Sequence, residues 1–131
     1  MRTAVLPVAL AIGSALVLAL QPLSAAGEKN PAAGERAFQK CYSCHSLEGP
    51  DSRLQGPSLN GIVGREVAAE PGFVYSPAMR AYAERQERWT REALDAFIAD
   101  PLAVVPRNEM GFFGISDAEE RQALIEYLAS T

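Results

Sequence analysis

The stretch CYSCH, residues 41–45, gathers both cysteines of the chain and its only histidine into five positions. Three chemistries use such a cluster: a redox-active dithiol, a zinc site, or a covalent anchor for a prosthetic group. A thioredoxin-like Cys-x-x-Cys pair belongs beside a βαβ unit, and no strand pattern runs through this chain. Zinc normally takes four ligands. Cys41, Cys44 and His45 supply three, so an Asp or Glu from elsewhere would have to complete the site.

Cys-x-x-Cys-His is also the attachment motif of c-type haem, and this reading uses every functional residue of the stretch. Cysteines three positions apart can each form a thioether to one vinyl group of a porphyrin, which sets the following histidine under the iron. Tyr42 and Ser43 then act as spacers. Electron-carrying haems take Met or His as the second axial ligand. The chain has no second histidine, and Met1 falls in the expected leader, which leaves Met79 and Met110. Met79 lies in an expected helix. Met110 lies in VPRNEMGFFGI, residues 105–115, an irregular connection from which a thioether can reach a metal, or fill a gap in a core.

Around the motif the sequence reads as helices and loops. A helix begins at Asn30-Pro31, an N-cap followed by proline in the first turn, and runs towards Cys41 with Ala33, Ala37 and Phe38 inward. A second begins at Thr90, carries Leu94, Phe97 and Ile98 at helical spacing, and stops at Pro101. A third opens with the capping box Ser116-Asp117-Ala118-Glu119 and continues with a stripe of Leu124, Ile125 and Leu128. A shorter one spans Ser76-Pro77 to about Arg85. Between His45 and Ser76 lie five glycines, three prolines and no helical stripe. A loop of that length is uncommon in a compact domain unless it is functional or packs on something. Leu54, Leu59, Ile62, Val63 and Phe73 are spread along it, as expected of a chain wrapped around a large apolar group such as haem.

The first 26 residues read as a secretory signal peptide: Arg2, an apolar stretch from Ala4 to Leu20, and small residues at Ser24-Ala25-Ala26. Cleavage is expected after Ala26, leaving one domain over residues 27–131. An uncleaved anchor is the alternative, although the stretch is broken by Pro7, Gly13 and Ser14 and falls short of the roughly 20 residues a span requires. Loss of Arg2 takes the formal charge from −4 to −5. Such a balance offers no basic face to nucleic acid and gives little attraction to anionic lipid.

Together these segments resemble the class I c-type cytochromes. GERAFQKCYSCH (34–45) resembles the family's first helix and haem-binding segment, and GPSLNGIVGR (56–65) and FVYSPAM (73–79) resemble the loops that follow. Trp89 with LDAFIADP (94–101) resembles the middle helix, PRNEMGFFGI (106–115) the methionine loop, and ERQALIEYL (120–128) the last helix. The resemblance implies an all-α small cytochrome c fold, with three main helices and a short one, and long loops wrapped around one covalent haem c. It implies His45 and Met110 as iron ligands and a Pro57 carbonyl bonded to the histidine's other nitrogen. Leu59 and Ile98 would pack on the haem, and Phe112 would cover its edge. Arg65, Tyr75 and Trp89 would bond one propionate, and Asn108 would reach the other. Gly34 and Phe38 would cross Leu124, Tyr127 and Leu128.

Three departures qualify the likeness. Phe97 stands where many relatives have a tyrosine that bonds near the methionine sulfur. Residues 76–88 form a longer segment than in mitochondrial relatives. The lysine ring of those relatives is reduced to Lys29 and Lys40, and Glu109 is acidic where they are basic. The expected function is a periplasmic, single-electron carrier that is not an enzyme, a monomer meeting redox partner proteins in transient complexes, without stable membrane insertion once the leader is cleaved. A dedicated cytochrome subunit of a dehydrogenase or oxidase complex is the alternative. A haem peroxidase fits less well, because nothing resembles a distal acid–base pair.

Overall fold

The computed structural model describes residues 31–51 and 53–131. The expected leader and the Asn30 cap lie outside the described residues. Five helices follow in order: α1 Pro31–Phe38, α2 Pro77–Ala83, α3 Arg91–Ala99, α4 Pro101–Val104 and α5 Ala118–Leu128. Among the described residues the only β pairing is an isolated antiparallel bridge between Glu66 and Arg88. The all-α expectation holds.

Caps and prolines account for the helix boundaries. Ser76 and Thr90 accept hydrogen bonds from the N–H groups of Met79 and Ala93, satisfying amides that a helix start leaves open. Pro101 ends α3 as expected but also begins α4, because Asp100 before it accepts from the Ala103 N–H. The same residue pair therefore stops one helix and starts another, and a fifth helix appears that the apolar pattern did not announce. The α5 cap also differs from expectation. Asp117, not Ser116, accepts from the Glu120 N–H, shifting the cap by one residue.

α1 and α5 cross closely. Gly34 makes this possible: a Cβ there would collide with the Ala123 carbonyl oxygen and the Tyr127 Cβ. Phe38 and Tyr127 meet beside the crossing with ring centroids 5.9 Å apart. α3 packs across α5 and supplies Leu94, Phe97 and Ile98 to the same core as Leu124, Ile125 and Leu128. Arg121 of α5, mostly buried, bonds Asp95 of α3 at 2.8 Å and donates to the Ile115 and Ser116 carbonyls at 2.9 Å each. The long loop contributes Ile62 and Val67 to the core and packs Leu59 and Val63 against it.

Candidate functional site

α1 stops at Phe38, and the chain continues in tight turns rather than reaching Cys41 as a helix. The amides of Cys44 and His45 both donate to the Cys41 carbonyl, each at 3.0 Å. One turn of backbone thus carries the two thiols and the imidazole together. Neither cysteine is in a disulfide, and both are half-buried. Burial pushes the Cys41 thiol up to about 11, only partly offset by Lys40.

The following loop is fastened along this turn. Gly56 N–H donates to the Cys44 carbonyl at 2.8 Å, Leu59 N–H to Ser46 at 2.8 Å, and the Asn60 amide to Leu47 at 2.8 Å. The register sets the Pro57 carbonyl 2.7 Å from His45 Nδ1. A carbonyl can only accept, so Nδ1 carries the proton and Nε2 keeps its lone pair. Burial lowers the His45 pKa, against the opposing pull of the Pro57 bond. A neutral imidazole with its second nitrogen fixed by an acceptor is the state a metal ligand requires. Gly56 completes the cradle: a Cβ there would lie 2.8 Å from Nε2 and closer still to Nδ1 and Cε1.

Arg65 forms the polar side of the site. Its guanidinium donates to the Ser58 carbonyl at 2.6 Å, the Asn60 carbonyl at 3.2 Å and the Glu70 carboxylate at 2.8 Å. Its Nε is the one buried side-chain nitrogen or oxygen without a hydrogen-bond partner among the described residues. Trp89 comes alongside through paired backbone, its N–H donating to Arg65 and its carbonyl accepting from Gly64. The Tyr75 hydroxyl accepts from the Glu70 N–H at 3.2 Å. The residues expected at one propionate are therefore brought to one corner.

Asn108 departs from expectation. Its Nδ2 donates to the Pro101 and Val105 carbonyls, at 2.9 Å each, and its Oδ1 accepts from the Met110 N–H at 2.9 Å. Both amide protons are committed, leaving none for a propionate. Its role is to fasten the entrance of the methionine loop. The exit is fastened where Ile115 N–H donates to the Ile98 carbonyl at 2.9 Å. Gly114, at φ +97°, lies under the Ala99 carbonyl where a side chain would not fit. Met110 and Phe112 are half-buried against the core, and so is Met79. Phe113 is 92% exposed.

These residues fit a haem. Two thiols and an imidazole share one turn, a glycine clears space at the ring, and a half-buried guanidinium has its buried Nε–H left over for an acid group. Among the described residues no group of three or more His, Cys, Asp or Glu side chains is placed to hold a metal ion directly, so the zinc alternative gains no fourth ligand. Glu70 and Arg121 were not singled out in the sequence. Their roles depend on partners that local spacing does not reveal.

A family model described as Cytochrome c matches residues 31–131. Among curated proteins, the chain is 40% identical over 102 residues to cytochrome c2 of Agrobacterium tumefaciens (strain II Chrys), covering 77% of this chain and 91% of that protein. It is 34% identical over 120 residues to cytochrome c2 of Rhodomicrobium vannielii, covering 91% and 90%. Among solved structures, cytochrome cH from Methylobacterium extorquens superposes with a TM-score of 0.69 at 34% identity, over 78% of this chain and 99% of that one. Sequence, fold and site agree: the chain belongs to the cytochrome c family, as a monohaem class I electron-transfer cytochrome that carries one covalent haem c and is not an enzyme.

Proposed function

We propose that the protein is an exported, periplasmic carrier of single electrons whose haem iron is held by His45 Nε2 and the Met110 sulfur. The observation that carries this reading is the His45–Pro57 bond at 2.7 Å on the turn that also bears Cys41 and Cys44. It leaves a neutral, oriented nitrogen beside two thiols. When bound, the haem supplies one-electron chemistry, and the chain's residues hold it, exclude water and set its potential. Leu59, Ile98 and Phe112 are the apolar wall, and Arg65, Tyr75 and Trp89 the polar corner. Met110 is favoured over Met79 because it lies in an irregular loop anchored at both ends, by Asn108 before it and Ile115 after it, whereas Met79 lies within helix α2. Methionine opposite histidine raises the reduction potential, and a positive midpoint is expected. The apolar stretch from Ala4 to Leu20 supports export.

Docking by this carrier differs from that of lysine-ringed relatives. Lys40 is paired with Glu120, Glu109 is exposed, and Phe113 stands almost free beside Phe112. Partners therefore meet an apolar rim in transient contacts of modest area. Oxidation rates that barely change between low and high salt support this mode, and a steep salt dependence rejects it.

Visible spectra test the ligand set. The ferric protein should be low-spin and show the weak long-wavelength band of sulfur bonded to iron. Met110→Ala should abolish that band and Met79→Leu should preserve it. The reverse result moves the ligand to Met79.

A further inference from the structure

The methionine loop alternates between outward and inward residues. Arg107, Glu109, Gly111 and Phe113 are exposed, while Asn108, Met110, Phe112 and Gly114 are half-buried. The odd-numbered positions thus form one outer strip, ending at the most exposed large apolar side chain among the described residues, Phe113. At the other end the Asn108 amide bonds the Pro101 carbonyl at 2.9 Å, which brings Pro101 and the exposed Leu102 beside the strip.

The strip carries one cation and one anion, two residues apart. Among the described residues neither the Arg107 nor the Glu109 side chain is held by a hydrogen bond or an ion pair. Arg107 also stands at φ +64°, a left-handed conformation that glycine adopts freely and a side chain resists. The exposed cation is kept there against the preference of the backbone. An outlier of this kind points to use.

We propose that this strip docks a second copy of the same chain, in a twofold encounter that sets Arg107 of each copy against Glu109 of the other and passes one electron between their haems. The inference rests on the ligation by Met110 proposed above, which sets the strip over the haem, and it names one partner for the apolar rim. A twofold contact uses the same patch on both copies, so each residue meets its counterpart in both directions. A patch with one charge of each sign is complementary to itself under that operation, whereas a ring of lysines repels itself. Phe113 and Leu102 surround the charges and release water from apolar surface on contact. Four side chains a side fall far short of the roughly 20–30 residues a side in a lasting interface, so the contact is an encounter. In it the ferrous haem loses the electron that the ferric haem gains. The pair is left chemically unchanged, and no outside oxidant or reductant is consumed. Electrons then cross a population of carriers by passing from copy to copy.

The test is the rate of electron self-exchange, measured by NMR line broadening in mixtures of ferric and ferrous holoprotein as their concentration is varied. Ionic strength is held at about 0.15 M, where screening over roughly 8 Å removes most of the long-range repulsion between two negatively charged copies. Arg107→Glu and Glu109→Arg should each slow the exchange by roughly 2- to 30-fold. One exposed ion pair shifts an equilibrium by a factor of about 1.4–5, and symmetry makes the pair occur twice. The double variant Arg107→Glu/Glu109→Arg restores opposite signs and should return the rate to that of wild type. Glu109→Arg is the sharpest arm: it lowers the net negative charge, so general repulsion alone would make it faster. A Glu109→Arg protein that exchanges as fast as wild type or faster overturns the proposal. So does a double variant as slow as the single ones, which leaves the strip to a protein of another sequence. The sulfur-to-iron band, recorded on the same samples, separates the two readings. Its absence from wild type removes Met110 as ligand and this inference with it, whereas its presence beside unchanged exchange rates removes only the self-docking.

Discussion

Replacing Gly34 by alanine sets two effects of opposite sign against each other. In an isolated helix the change is favourable by about 1 kcal/mol, because glycine has the larger backbone entropy to lose. Here the new Cβ would strike the Ala123 carbonyl and the Tyr127 Cβ, both on the backbone side of α5 where no rotamer change can relieve them. Restoring ordinary contact requires α5 to retreat by on the order of 1 Å, and a gap of that size forfeits a quarter to a half of the dispersion well of each contact it opens. Phe38, Leu124 and Leu128 lie at this crossing and are buried, each contributing about 1.5–3 kcal/mol by burial. Losing about a third of the three together, roughly 1.5–3 kcal/mol, agrees with the usual cost of overpacking. The net expectation is a destabilisation of about 0.5–2 kcal/mol, equivalent to roughly 2–16 °C in Tm for a domain of this size. Thermal and guanidinium unfolding of the holoprotein, followed by circular dichroism and by haem absorbance, measures it. A Gly34→Ala protein as stable as wild type or more so would show that the crossing is loose and that propensity, not packing, governs α1.

Three further outcomes are expected. Gly56→Ala pushes a methyl into the His45 ring, so the holoprotein should lose low-spin ferric character at neutral pH, read by its visible spectrum. Arg121→Ala removes the bonds to Asp95, Ile115 and Ser116 and leaves half-buried acceptors behind. It should cost about 1–3 kcal/mol in denaturant unfolding, while a change under about 0.5 kcal/mol would place Arg121 with ordinary surface ion pairs. Hydrogen bonds from Arg53 hold the Asp51 carboxyl at about 2, below its ordinary 3.8. The pair is therefore intact above pH 3.8 and lost as pH falls through about 2. In Arg53→Ala the Asp51 titration, followed by carboxyl NMR in the ferrous protein, should return towards 3.8.

Legibility in the sequence followed the range of the interactions. The Leu94–Phe97–Ile98 stripe and the α5 stripe are set by neighbours within a few residues, and they appear in the structure as read. The dipeptides Ser76-Pro77 and Asp100-Pro101 carry one signal, a capping side chain followed by a proline with no N–H to satisfy. The first was read as a start and the second only as a stop, because the four residues of α4 are too few to show a periodicity. Asp117 replaced Ser116 as the cap because either side chain can accept from an amide three residues on, and the packing of α5 selects between them. Asn108, Glu70 and Arg121 were hidden for another reason. The partners of Asn108 and Arg121 lie in the backbone or across the fold, that of Glu70 is Arg65 five residues back in an irregular loop, and a polar residue looks the same in sequence whether it faces solvent or meets such a partner.

In the ligand set proposed above, the fastening of the methionine loop governs how the iron would lose its sulfur. An amide clasp before Met110 and a sheltered carbonyl tie after Gly114 hold the backbone that carries the thioether at both ends. Withdrawal of the whole loop requires the strap to come undone at one end, a small unfolding event with its own free energy, below that of the whole domain. Amide exchange at Met110 and Ile115 would time that event. Conditions that free the strap while the helices persist would turn a sealed electron carrier into a haem open to outside ligands.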